Sequence, residues 1–171
     1  MDAIAALKTR RSVRKYKPDQ IDPVVLDRIL EISTYAPNGR GLQAAVLVVV
    51  QDEETCAQLR RMNADVMGAD TDPYYGAPTI ILAFAPNDVM TYVEDASSVL
   101  TYLQVAAHIE GLASVWVHRE RQMFESDEGK ALMKKWGLED KFEGIGSVAI
   151  GYADGGLPEP APRREGYILK V

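Results

Sequence analysis

Between Lys8 and Lys17 the chain places six basic residues (Lys8, Arg10, Arg11, Arg14, Lys15 and Lys17) and no acidic one. The whole chain has a net charge of −6, so the segment concentrates positive charge in an acidic protein. Arg10, Arg11, Ser12 and Arg14 fall within five residues. Guanidinium forks take phosphate oxygens in pairs, and a serine hydroxyl adds a neutral donor. The chemistry open to this group is the grip of a terminal phosphate monoester. A solvated basic face is the plain alternative, since that is the usual role of a run of charge. The segment by itself leaves both readings open.

Other reactive constellations are sparse. His108 stands inside a helical stretch and His118 at a strand end, which does not make a metal site. Cys56, the one cysteine, reads as a packed thiol and excludes an internal disulfide or a cysteine-based metal cluster. No Gly-x-Gly-x-x-Gly follows a strand, and there is no Walker loop or Gly-x-Ser-x-Gly elbow. The carboxylates form no evident acid–base pair. A chain without nucleophile, metal or acid–base pair is either no enzyme or one that borrows its chemistry from a cofactor. The anion grip would then hold that cofactor's phosphate. One compact cluster with no Gly-rich pyrophosphate turn suits a terminal monoester rather than a pyrophosphate.

The elements that must position these residues follow from periodicity and punctuation. Residues 2–9 read as a short helix with an Ile4–Leu7 stripe. Asp22-Pro23 starts a second helix with one buried face from Val25 to Ile32, ended by Ala36-Pro37. Asn38-Gly39-Arg40-Gly41 is a tight loop. The run 44–50 predicts a strand buried on both faces. Asp52 caps a polar, superficial helix over 53–66, and 70–78 is a Tyr-, Gly- and Pro-rich loop. Strands are expected at 79–85, 113–117 and 146–152. The longest helix spans 92–110, and Ser126 caps another that ends near Trp136-Gly137. Residues 155–162 form a Pro-rich arm, and 167–171 a possible last strand. A chain of 171 residues, 47% apolar and 26% charged, fits one soluble domain over 1–171. No apolar run approaches the roughly 18 residues of a membrane span, and Met1-Asp2-Ala3-Ile4 lacks a signal-peptide pattern. These features point to the cytoplasm, with no membrane partner. The acidic balance argues against broad nucleic-acid binding.

The order of motifs resembles the flavin-dependent nitroreductase family along nearly the whole chain. Arg10-Arg11-Ser12-Val13-Arg14-Lys15-Tyr16 resembles its N-terminal signature. Ala36-Pro37-Asn38-Gly39-Arg40-Gly41-Leu42-Gln43 is similar to its second motif, and Tyr75-Gly76-Ala77-Pro78 to its third region. Ala106 to Trp116, ending Gly111-Leu112-Ala113-Ser114-Val115-Trp116, resembles the core helix and the next strand; Gly151-Tyr152, prolines and Arg163-Arg164 resemble its C-terminal end. The second motif departs from the family at Asn38, Gly41, Ala44 and Ala45, and the chain is short for the family.

The resemblance implies an α+β, three-layer helix/sheet/helix fold with a mixed, mostly antiparallel sheet. Alternating strands and helices alone would suggest a parallel one. It also implies an FMN-binding homodimer that exchanges its C-terminal strand. Arg10, Arg11, Ser12 and Arg14 would take the phosphate and ribityl chain, with Arg163 or Arg164 adding a contact. Asn38 and Gly39 of the other copy would pack on the isoalloxazine. Asn63 would reach the pyrimidine edge, and backbone N–H groups at His118–Arg119 would face N5. Tyr74, Tyr75 and Phe124 would line the substrate pocket. No side chain would be catalytic and no metal would be held. The implied reaction is ping-pong hydride transfer from NADH or NADPH to a nitroaromatic, a quinone or a similar small acceptor. Two other classes stay open: an FMN-binding protein without turnover that stores or senses flavin, and a non-flavin interaction module.

Overall fold

The computed structural model describes residues 2–138 and 140–171. Six α-helices are present among them: α1 (Ala3–Thr9), α2 (Pro23–Ser33), α3 (Glu53–Met67), α4 (Tyr92–Ile109), α5 (Glu120–Glu125) and α6 (Asp127–Lys135). Four strands, β1 (Val46–Val50), β2 (Thr79–Pro86), β3 (Ala113–Val117) and β4 (Phe142–Gly151), form one sheet in the order β1-β2-β4-β3. Every pair in that sheet is antiparallel. The one parallel feature among the described residues is an isolated bridge between Ser12 and Ser114 on the free edge of β3. The fold is α+β, and alternation of strands with helices misleads about strand direction, as the resemblance implied.

Local chemistry starts the helices where the sequence says. The Asp22 carboxylate accepts the Val24 N–H at 2.8 Å, and Asp52 accepts that of Thr55 at 2.8 Å. Ser126 accepts the Gly129 N–H at 3.1 Å. These caps satisfy donors that the first helical turn leaves free.

Two apolar clusters lie on opposite faces of the sheet, giving three layers. One joins Leu59, Met62, Phe84, Val115, Met123 and Phe124 beneath α3, α5 and α6. The other joins Leu26, Ile29, Ile81, Leu100, Leu103 and Val148 beneath α2 and α4. All eight residues of β2 are buried.

Several boundaries differ from expectation for tertiary reasons. β1 is an edge strand with only β2 beside it, so its residues are mostly half-exposed rather than buried on both faces. Helix α2 stops at Ser33 instead of running to Ala36. Helix α3 is not superficial, because Cys56, Leu59, Met62 and Asn63 are buried. Ile4 and Leu7 face outward while Ala6 is buried. β4 begins at Phe142, four residues before the expected start, where Gly144 and Gly146 mask the pattern. A Cβ at Gly146 would lie 2.7 Å from the Trp116 ring, and one at Gly144 2.9 Å from the Glu120 Cβ. Both glycines therefore mark close approach inside a strand. Residues 167–171 form no strand in this chain; Tyr167, Ile168, Leu169 and Val171 are exposed.

Candidate functional site

The basic segment leaves α1, meets the free edge of β3 at Ser114 and then crosses to pair with residues 152–154 after β4. The Val13 N–H donates to the Ser114 carbonyl at 3.1 Å, and the Lys17 N–H to that of Tyr152 at 2.9 Å. This pairing brings Arg10, Arg11 and Ser12 to the start of β3. Arg11 Nη1 donates to the Lys8 carbonyl at 2.9 Å and the Arg10 carbonyl at 2.6 Å. Arg10 Nη1 and Arg11 Nε are buried and have no hydrogen-bond partner. Burial, and then the neighbouring Arg11, hold the Arg10 guanidinium below its usual pKa. Two adjacent cations with unmet, desolvated donors form a cradle for an anion, and a phosphate supplies the acceptors they lack. The residues present thus fit the phosphate end of FMN.

His108 is buried against this segment, with Nε2 2.8 Å from Thr9 Oγ1. Its pKa is lowered by burial and then by Arg10 and Arg11, which favours the neutral ring beside the cations. The Arg14 guanidinium lies 5.8 Å from the centre of the Tyr75 ring. Tyr75 has φ 57 and stays 39% exposed. The segment and the 70–78 loop therefore meet at this point.

At the other end of β3 the chain turns at His118-Arg119 into α5. His118 is exposed. Arg119 has φ 93, a left-handed conformation that a side chain with a Cβ rarely takes. Its Nε donates to Asn63 Oδ1 at 3.0 Å, and its Nη2 lies 3.1 Å from the Met67 sulfur. The guanidinium is thus folded onto α3. Asn63 Nδ2 donates to the His118 carbonyl at 2.9 Å and to the Tyr74 hydroxyl at 3.3 Å. Asn63 is fully buried and spends its hydrogen bonds inside the protein, so it does not present an edge to a ligand. The amide that the resemblance aims at a pyrimidine edge is, in this chain, turned toward the His118–Arg119 turn.

Two expected pocket residues are buried, Phe124 at the edge of a cavity of about 860 Å³ that Arg121 and Phe142 also line. Tyr74 is fully buried, and its hydroxyl donates to Glu120 Oε1 at 3.2 Å. Phe124 packs edge-on against Phe84, ring centres 4.8 Å apart. Of the three, Tyr75 alone keeps an exposed ring. A residue that sequence reasoning missed is Glu120. It is fully buried, and burial pushes its carboxyl up to about 7. Ser147 on β4 donates to its Oε1 at 2.5 Å, while its Oε2 has no partner. Flanked by Arg119 and Arg121, it looks like part of a solvated charge cluster, and no local signal distinguishes it.

The second motif lies elsewhere. The Gly39 N–H donates to Asp95 on α4 at 2.8 Å, and Asn38 Oδ1 accepts the Gln43 N–H at 2.9 Å. Asn38 lines a cavity of about 380 Å³ with Leu30, Leu47, Asp95 and Val99. This loop belongs to the α2–α4 layer, whereas Asn63 and the turn belong to the α3–α5 layer. One chain does not bring the two motifs together. Arg163 and Arg164 lie on the C-terminal arm and contact the arm itself: Arg163 donates to the Ala161 carbonyl at 2.6 Å, and Arg164 stacks on Tyr167 at 5.7 Å. Cys56 is a buried thiol. Among the described residues no cluster of three metal-ligating side chains occurs. None of the described helices is long and apolar enough to cross a membrane.

Comparison with known proteins gives a consistent picture. The sequence profile of the nitroreductase family matches residues 7–152. A relative from Archaeoglobus fulgidus, provisionally named NADH dehydrogenase/NAD(P)H nitroreductase, is 27% identical over 159 residues, covering 88% of this chain and 85% of its own. The crystal structure of a nitroreductase with bound FMN from Bacteroides fragilis superposes with a TM-score of 0.91 at 25% identity, covering 100% of this chain and 99% of that one. A second, from Desulfitobacterium hafniense and also with bound FMN, gives a TM-score of 0.87 at 21% identity, over 100% of this chain and 99% of that one.

Proposed function

The chain belongs to the nitroreductase family, and on that premise we propose that it is an FMN-dependent oxidoreductase passing a hydride from NADH or NADPH to a small oxidised acceptor, such as a nitroaromatic or a quinone. The observation that carries this reading is the pair of buried, unpartnered guanidinium nitrogens on Arg10 and Arg11. Leaving desolvated cationic donors unmet is costly unless an anion arrives. The FMN bound in similar structures supplies such an anion.

When bound, FMN would supply hydride chemistry at N5. The chain's own residues bind and orient. Arg10, Arg11 and Ser12 hold the phosphate and ribityl end, with Arg14 beside Tyr75 at the border. The chain from Ser114 on β3 to His118 just past its end covers about 13 Å, at roughly 3.3 Å per residue, and separates the two ends of the site. Backbone N–H groups at His118–Arg119 would serve N5 and stabilise negative charge there without a titrating side chain. Donor and acceptor use one pocket in turn, which makes the kinetics ping-pong.

The reading includes a homodimer. The Asn38–Gly39 loop lies in the other layer from the turn, so it serves the site of a second copy. The exposed apolar residues of the arm, Leu157, Tyr167, Ile168 and Leu169, suit a docked position on that copy. There Arg163 or Arg164 joins the phosphate contacts.

The purified protein should be yellow, release FMN on heating, bleach with NADH or NADPH and regain colour with an acceptor. Colourless protein without affinity for FMN, or release of FAD, overturns the reading. Bound flavin that neither nicotinamide reduces identifies a non-catalytic flavin protein instead. Sedimentation should give a dimer, and a flavin-loaded monomer would refute the two-chain site.

A further inference from the structure

The left-handed backbone at Arg119 persists only where neighbours fix it. Two of the contacts that do so run through Asn63: its Oδ1 receives Arg119 Nε at 3.0 Å, and its Nδ2 donates to the His118 carbonyl at 2.9 Å; Arg119 Nη2 on the Met67 sulfur at 3.1 Å and the Met123 N–H on the Arg119 carbonyl at 3.0 Å act beside them. Asn63 is held in turn, since Nδ2 also reaches the Met123 sulfur at 3.1 Å and the Tyr74 hydroxyl at 3.3 Å. That hydroxyl has one proton, which it gives to Glu120 Oε1 at 3.2 Å. Ser147 donates to the same oxygen at 2.5 Å, tying it to the sheet. Glu120 directly follows Arg119. The hydrogen bonds therefore leave the turn through α3, pass the 70–78 loop and return to the first residue of α5, closing a ring around Arg119. Asn63, Tyr74, Glu120 and Ser147 are all fully buried. Gly144 lets α5 sit this close, because a Cβ there would meet the Glu120 Cβ at 2.9 Å.

We propose that Glu120 is a positioning residue: through Tyr74 and Asn63 it fixes the left-handed His118–Arg119 turn, and so sets how strongly the protein prefers reduced over oxidised FMN. The second half rests on the reading above, in which that turn faces N5. Truncating Glu120 leaves the Tyr74 and Ser147 hydroxyls without their acceptor, and Asn63 loses its stop. A glutamine keeps the acceptor oxygen. Burial pushes the Glu120 carboxyl up to about 7. The groups facing it are the Tyr74 and Ser147 hydroxyls, its own N–H and the Arg119 cation. A hub that works as a neutral acid agrees with that environment.

Two measurements on the full-length protein test this. Hydrogen exchange of the amides at 118–124 should speed up tenfold or more in Glu120→Ala and in Tyr74→Phe, and stay at the wild-type rate in Glu120→Gln. Unchanged exchange in Tyr74→Phe, the mildest cut in the ring, overturns the anchor; that variant decides if Glu120→Ala does not fold. In the FMN-loaded protein the preference for reduced flavin should fall about tenfold in the same two variants, a midpoint about 30 mV more negative for a two-electron couple. The glutamine variant should restore it. Faster exchange with an unmoved potential overturns the link to N5. If the unsubstituted protein binds no FMN, the functional reading fails, and exchange still decides the anchor.

Discussion

The two ends of β3 are built on opposite rules. At its start, Arg10 and Arg11 carry buried donors with no acceptor. At its end, the polar side chains around Arg119 answer one another, apart from the single oxygen Oε2 of Glu120. An unsatisfied group binds what satisfies it; a satisfied network holds a shape. On the proposed reading, affinity and geometry belong to different places along one strand, and changes at one end should not imitate changes at the other.

The sharpest way to break that contrast is at the phosphate end. Replacing Arg10 and Arg11 together with Ala should weaken FMN binding roughly a hundredfold or more, since each charge-assisted bond is worth roughly 1.5–3 kcal/mol. Fluorescence titration measures this. The FMN-free melting temperature should barely move, because the pair is desolvated and mutually repelling. Unchanged affinity with a large loss of stability would mean the two arginines are structural.

At the turn end the expected signature is in pH rather than affinity. The folded pKa of Glu120 is raised from 4.5 to about 7, so the native state holds a proton that the unfolded chain has lost. Stability from this group is then lost as pH rises between those values and levels off above the upper one. The loss amounts to about 3 kcal/mol at 1.36 kcal/mol per pKa unit. Glu120→Gln lacks this titration. Its stability relative to wild type should therefore rise by about 3 kcal/mol between pH 4.5 and pH 8, measured by denaturant unfolding. A pH-independent difference would show that Glu120 is ionised in the folded protein.

His118 tests whether the turn acts by backbone or by side chain. His118→Ala keeps the N–H, so stopped-flow reduction of bound FMN by saturating NADH or NADPH should change by no more than about tenfold, about 1.4 kcal/mol of barrier. A thousandfold loss with flavin fully bound would give the imidazole a chemical role. The smallest effect belongs to the border between the two ends. Arg14→Ala removes an exposed cation–π contact with Tyr75 worth about 0.5–1 kcal/mol. FMN affinity should fall by less than in either Arg10 or Arg11 single variants; an equal fall would extend the phosphate cradle to Arg14.

The arginine cluster was legible because it is local. Arg10 to Arg14 are neighbours in sequence, and the caps at Asp22, Asp52 and Ser126 act within three residues. The turn end was hidden because its ring joins residues from α3, a loop, α5 and β4. Asn63 sits on a helix whose sequence looks polar, and its burial is decided by Tyr74 and Met123 from elsewhere. Arg119 takes a conformation that glycine would have advertised. The edge position of β1 and the early start of β4 depend on which strands neighbour which, and hydrophobic runs carry no record of that.

The sheet order has a consequence for how the chain comes off the ribosome. β2 is the most deeply buried strand, yet its inner neighbour is β4, with Thr79 opposite Ile150 and Pro86 opposite Phe142. When β2 emerges it finds only β1 to pair with, leaving one long apolar edge bare. Synthesis at roughly 5–20 residues per second leaves that edge open for several seconds before β4 appears. Throughout that interval the nascent chain displays the kind of unpaired strand that other chains can add to.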